Sequence, residues 1–211
     1  MKFFDYLKNI FIILLIIHFA PMVFESIRKQ YSKLLVPSTK VGVLTIKGIL
    51  YDASYYNNQL TTFFKDNSIK AVLLKIECPG GAAGSSQALF NEIQALKKQY
   101  PKPVITLVEN VCTSGGYYIA CSSDSIIATG AATIGSIGCY LPLFQLKEFI
   151  EQFKIGYTPI KTGAYKTITD PLSSKTPEEK ALLQELSADI YQQFVEDVAA
   201  QRKLSINTVN S

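Results

Sequence analysis

AVLLKIECPGG, residues 71–81, is the stretch whose reading decides the fold. Its first six residues form a short apolar run of the length and composition of a buried strand. The run ends at Cys78-Pro79-Gly80-Gly81, where proline and glycine halt regular structure. The same pattern recurs on both sides. VGVLTI (41–46) comes before it, and PVITLV (103–108) and SIIAT (125–129) come after it. Helical stretches separate them: residues 53–66, then QALFNEIQALKKQ (87–99), where Leu89, Ile93 and Leu96 share one face. SGGYYIACS (114–122) opens another helix. Residues 143–153 read as helical and GYTPI (156–160) as a strand. After Pro177 a long helix is predicted to about Lys203, with Leu182, Leu186, Ile190, Phe194 and Val198 at spacings of four. Strands alternating with helices predict an α/β domain around a largely parallel sheet.

The bulk numbers narrow the class. The chain has 211 residues, 48% of them apolar, which is enough for a sizeable core. A net charge of +4, from 21 basic and 17 acidic residues, is mild. The basic residues are scattered, so nucleic acid is not an expected partner. Cys78, Cys112, Cys121 and Cys139 form no C-x-x-C pair, and the single histidine, His18, lies far from them. A metal site is therefore not expected, and the cysteines read as small buried residues.

Residues 10–24, IFIILLIIHFAPMVF, carry no charge between Lys8 and Glu25. Fifteen helical residues span roughly 22 Å, short of the ~30 Å hydrocarbon core unless the flanking residues from Phe3 are added. A cleaved signal peptide would need small residues at the last and third-last positions before the cut. Ala20 supplies one, but His18 occupies the other place and Pro21 follows. The expectation is an uncleaved single-pass anchor over residues 1–24, a linker over 25–40, and a domain over 41–211. The charges flanking the segment (Lys2 and Lys8 before it, Arg28, Lys29 and Lys33 after it) weakly favour a cytoplasmic domain.

The lone histidine constrains the chemistry. The domain cannot build a Ser-His or Cys-His pair from its own residues, so nucleophilic catalysis would need another base. Lysine kept neutral by burial is the main alternative. Two glycine turns follow strands, where α/β proteins place ligands. Pro79-Gly80-Gly81 leaves backbone N–H groups open to close approach. Thr113-Ser114-Gly115-Gly116 puts a serine at a helix start, beside free N–H donors that suit an oxyanion. An isolated serine at such a place is ordinarily an N-cap.

KAVLLKIECPGGAAGSSQALFNEI, VITLVENVCTSGGYYIACSSDSIIAT and TIGSIG, in that order and spacing, resemble the signal peptide peptidase A family, within the Clp protease and crotonase fold group. The resemblance runs from about Val41 to about Lys203. It implies repeated β-β-α units around the sheet, beside the N-terminal membrane-anchor helix. It also implies a serine peptidase with Ser114 as nucleophile and Lys166, in Gly163-Ala164-Tyr165-Lys166, as general base. Gly81 and Gly115 would be the oxyanion donors, and Ser136 would hydrogen-bond the lysine. No metal or cofactor would be required. Lys161 is the nearest rival base.

The family further implies peptide substrates such as cleaved signal peptides and a protease domain outside the cytoplasm, against the charge count. It implies homo-oligomers whose active sites draw serine and lysine from neighbouring subunits. TIGSIG and CYLPLF (139–144) would suit a subunit contact or the inside of one domain equally well. The sequence departs from the family pattern at Cys78, where serine is usual, at Cys112, and at Thr167 after the lysine. The family also continues past the long helix with a further strand-helix unit, so the domain is expected to be truncated at its C-terminus. Two rival readings stand beside the peptidase. One is a catalytically silent membrane-anchored scaffold of the same fold. The other is a crotonase-type enzyme acting on acyl-thioesters.

Overall fold

The computed structural model describes residues 2–35 and 39–210. It opens with α1 (Lys2–Leu35), whose Phe4–Arg28 stretch is long and apolar enough to cross a membrane. The linker expected at 25–40 is thus helical as far as Leu35, and residues 36–38 lie outside the described residues. Pro21 sits inside α1.

The domain then alternates as predicted. β1 (Lys40–Lys47), α2 (Ser54–Lys65), β2 (Ile69–Cys78), α3 (Ala83–Gln99), β3 (Val104–Thr113), α4 (Gly115–Cys121) and β4 (Ser125–Ala128) follow in turn. The sheet order is β1-β2-β3-β4, and β5 (Thr133–Gly135) pairs with the far end of β3. Every pairing is parallel. Each crossover between the first four strands is a helix, as parallel neighbours require.

The core lies between the sheet and these helices. Ile46, Leu74, Ile76, Val104 and Val108 point from the strands onto Leu60 and Phe64 of α2, Leu89 and Ile93 of α3, and Ile119 of α4. The helical spacing of the α3 residues places them on that one face, as predicted. A second cluster joins Phe90, Tyr118 and Cys121 to Phe194 and Val198 of α6 (Pro177–Arg202). The start of α6 is fixed by a capping box: Glu179 N donates to Thr176 Oγ1 (3.2 Å) and Thr176 N to Glu179 Oε2 (2.9 Å). Two glutamine pairs, Gln87–Gln193 (2.8 Å) and Gln94–Gln201 (2.9 Å), tie α6 to α3.

Three expectations are corrected. β3 does not stop at Val108 but runs through the polar Glu109-Asn110 to Thr113. The Glu77 carboxylate accepts from the N–H groups of Glu109 (2.9 Å) and Asn110 (3.1 Å) and from Asn110 Nδ2 (3.2 Å), across a register shift between Ile76 and Cys78. A side chain thus satisfies backbone that the neighbouring strand leaves unpaired. The helix expected at 143–153 is only α5 (Lys147–Gln152). Residues 156–160 form no strand: they pair with no strand of the sheet and, apart from half-buried Pro159, lie exposed. A short α7 (Ile206–Asn210) follows α6. The four cysteines are free thiols, three buried and Cys139 half-buried.

Candidate active site

The site grows from the ends of β2 and β3. Beyond β2, Gly80 adopts φ 117°, a conformation that L side chains rarely take. Gly81 lies against Leu50: Leu50 N donates to Gly80 O (2.9 Å) and Ala82 N to Leu50 O (2.8 Å). A Cβ on Gly81 would fall onto the Leu50 carbonyl, so no other residue fits this backbone.

Beyond β3, Ser114 has φ 51° and ψ −124°. A non-glycine residue there stores strain of about 1–3 kcal/mol and is held by its surroundings. The holding groups are visible. Ser114 N donates to Gly135 O on β5 (2.8 Å), and Tyr118 N donates to Ser114 O (2.9 Å). Thr113 Oγ1 donates to Pro79 O (3.0 Å), locking one glycine turn to the other. A Cβ on Gly116 would stand 2.5 Å from Cys78 O, so this glycine lets α4 close on the end of β2.

The two turns face each other. A Cβ on Gly80 would stand 2.8 Å from Ser114 Cβ and 3.1 Å from both Ser114 Oγ and Gly115 N. A Cβ on Gly115 would stand 3.4 Å from Gly81 N. Among the described residues neither the Gly81 N–H nor the Gly115 N–H has a hydrogen-bond acceptor. Ser114 Oγ, half-buried, likewise has no partner among them. A hydroxyl beside two free donors at a helix start is the arrangement that acyl transfer needs.

The structure therefore brings Ser114, Gly81 and Gly115 together. Ser136 follows Gly135 with φ 54°, directly beyond the strand that receives Ser114 N, and is exposed. Lys166 is not brought to them. It stands in an exposed turn, where its backbone N reaches Gly163 O (3.4 Å), and no hydrogen bond joins it to Ser114 or Ser136. Lys161, the rival, donates to Ala164 O (2.9 Å) and Thr167 Oγ1 (3.0 Å), so it braces that same turn.

Of two further groups near the site, Cys78 reads in the sequence only as a small buried residue and a departure from the family pattern, and the Tyr118–Asp197 pair escapes it. Cys78 Sγ lies 3.4 Å from both the N and the O of Gly80, inside the turn itself. Burial pushes the Cys78 thiol above its ordinary range, as it does those of Cys112 and Cys121, both raised to about 12. Tyr118, stacked on Phe194 at 4.4 Å, donates its hydroxyl to the Asp197 carboxylate of α6. Burial, and then the Asp197 partner, raise the Tyr118 pKa. A proline-glycine turn or an S-G-G signal is local. The Tyr118–Asp197 pairing joins residues 79 positions apart and leaves no local trace.

Residues 96–211 match the model of peptidase family S49. A protein of Methanocaldococcus jannaschii named as a candidate protease is 39% identical over 74% of this chain and 50% of its own length. One of Enterococcus faecium named as a candidate signal peptide peptidase is 31% identical over 81% of this chain and 53% of its own. The chloroplastic serine protease SPPA of Arabidopsis thaliana is 29% identical over 79% of this chain and 24% of its own. The chain spans about half the length of the first two of these curated relatives.

Proposed function

The chain belongs to peptidase family S49, and on that premise we propose that it is a membrane-anchored serine endopeptidase working through Ser114 and Lys166. The observation that carries the proposal is the strained Ser114 turn, with the unclaimed N–H groups of Gly81 and Gly115 beside it. In this reading Ser114 Oγ attacks a peptide carbonyl and Lys166 takes its proton. The oxyanion settles on the two glycine N–H groups. The leaving amine collects the proton, and water then releases the acyl group by the same route. Ser136 orients the lysine.

The substrates are cleaved signal peptides or other membrane-associated peptides, a reading supported by the apolar Phe4–Arg28 helix. That helix anchors the chain, with the domain on the extracytoplasmic side. The active lysine reaches Ser114 from a neighbouring copy. Support for this comes from the exposed apolar side chains of the segment that precedes the lysine turn in the chain: Tyr140, Phe144, Phe149, Phe153 and Ile160.

A second reading, the silent scaffold, draws on the exposed position of Lys166 away from Ser114. A fluorophosphonate separates the two. The peptidase reading expects the purified full chain to be labelled once, at Ser114, and to hydrolyse peptide. Ser114→Ala and Lys166→Ala should do neither above background, and Lys166→Arg should be as inactive as the alanine variant, because arginine does not give up its proton. An unlabelled wild-type chain would leave the scaffold.

A further inference from the structure

Ser86 sits four residues into α3 and is 0% exposed. A serine so placed on a helix ordinarily faces solvent or bonds back to its own turn. Here its hydroxyl does the second and something more. Ser86 Oγ donates to Ala82 O (3.1 Å), which Ser86 N also reaches (3.1 Å). Ala82 directly follows Gly81, and its own N–H is held by Leu50 O (2.8 Å). The peptide groups on either side of Ala82 are thus pinned, and with them the end of the Gly80-Gly81 turn.

On its other side the same hydroxyl abuts Gly115. A Cβ added to Gly115 would collide with Ser86 Oγ, would come within 3.1 Å of Ser86 Cβ, and would stand 3.4 Å from Gly81 N. One oxygen atom therefore fills the gap between the turn that carries one free N–H and the glycine that carries the other. Interiors relax only partly around a missing atom, and the neighbours shift into the space. The atoms best placed to shift here are the two donors.

We propose that Ser86 is a positioning residue that sets the separation of the Gly81 and Gly115 N–H groups, so that both reach one oxyanion. The inference rests on the peptidase reading of Ser114. It assigns Ser86 no contact with substrate. It predicts a defect confined to the tetrahedral state, because only there does the oxygen carry the charge that both donors must meet.

The test uses the full chain in detergent, with active sites counted by fluorophosphonate titration so that misfolded protein drops out. Ser86→Ala should lower kcat per titrated site by about tenfold, less than the loss on removing a whole donor, with KM unchanged. Its affinity for a peptide aldehyde, which adds to the serine as a tetrahedral adduct, should fall in parallel. Its affinity for the matching peptide alcohol should hold. Ser86→Thr, which keeps the oxygen, should stay within about threefold of wild type in kcat per titrated site. Unchanged kcat per titrated site in Ser86→Ala, or a raised KM with kcat intact, would overturn the positioning role while leaving Ser114 the nucleophile. A wild-type chain that takes up no fluorophosphonate would overturn the peptidase reading and this one with it.

Discussion

In the proposed mechanism Ser114 meets two opposed demands. Its backbone occupies a region that suits glycine, yet the attack proposed for it requires a side-chain oxygen there. Ser114→Gly should therefore be inactive and more stable than Ser114→Ala, by about 1 kcal/mol or more, since glycine alone relieves the strain. Thermal midpoints of the two variants should differ by roughly 2–4 °C per kcal/mol in a chain of this size; equal midpoints would show that the turn is unstrained. Thr106 is the converse case, a fully buried hydroxyl with no hydrogen-bond partner among the described residues. Thr106→Val keeps the shape and removes an unsatisfied oxygen, so it should raise the denaturation midpoint; a clear loss of stability would mean that the hydroxyl is satisfied in solution. At this scale the sequence was readable where chemistry is local. Ser114, Gly81 and Gly115 stand out by their neighbours, whereas the approach of Ser86 to Gly115 spans 29 positions, and in the sequence Ser86 reads as an ordinary helical serine.

At the scale of elements, Tyr118 ties α6 to the Ser114 turn. Tyr118 reaches Ser114 O with its N–H and Asp197 with its hydroxyl, while its ring packs between Phe90 and Phe194. Tyr118→Phe and Asp197→Asn should each destabilise the chain and, combined, cost less than their sum; strict additivity in a double-mutant cycle by urea denaturation would refute the link. The start of β3 is held by Asp124, which accepts from Val104 N (2.8 Å) and Lys97 Nζ (2.7 Å). Burial raises the Asp124 pKa, but these two donors outweigh it and hold the carboxyl below its ordinary value. A depressed folded-state pKa gives stability that is present above the unfolded value and is lost as pH falls through the folded one. The stability gap between wild type and Asp124→Asn should therefore be full at neutral pH and shrink on acidification below the ordinary carboxylate range; a gap independent of pH would contradict the assignment. The apolar strands and the α3 face were legible because burial writes a period into the sequence. The last turn of β3 was not, because Glu77 supplies its hydrogen bonds. The stretch 156–160 misled because β-prone residues make a strand only beside a free edge.

Among the apolar regions left exposed in the described residues, two bear on function: α1, and the segment that precedes the lysine turn. The second bears on assembly. If a neighbouring copy supplies Lys166, inactive Ser114→Ala and inactive Lys166→Ala chains mixed after dissociation should recover peptidase activity at junctions that carry both native residues. Mixed oligomers that stay inactive would assign each site to a single chain. If α1 anchors the chain as proposed, it sets where the domain can work. At about 1.5 Å per residue, the 34 residues of α1 make a rod of about 51 Å, against roughly 30 Å of hydrocarbon. Seated in a bilayer, that rod is a post of fixed height, followed by only the few residues 36–39 before β1 begins. So seated, the domain would search a thin layer above the lipid, in two dimensions rather than three. Peptides held in the same membrane meet it at a high effective concentration, set by geometry alone. Peptides free in solution would be denied that advantage, so on the proposed reading selectivity for membrane-borne chains would arise before any side chain of the cleft had touched a substrate.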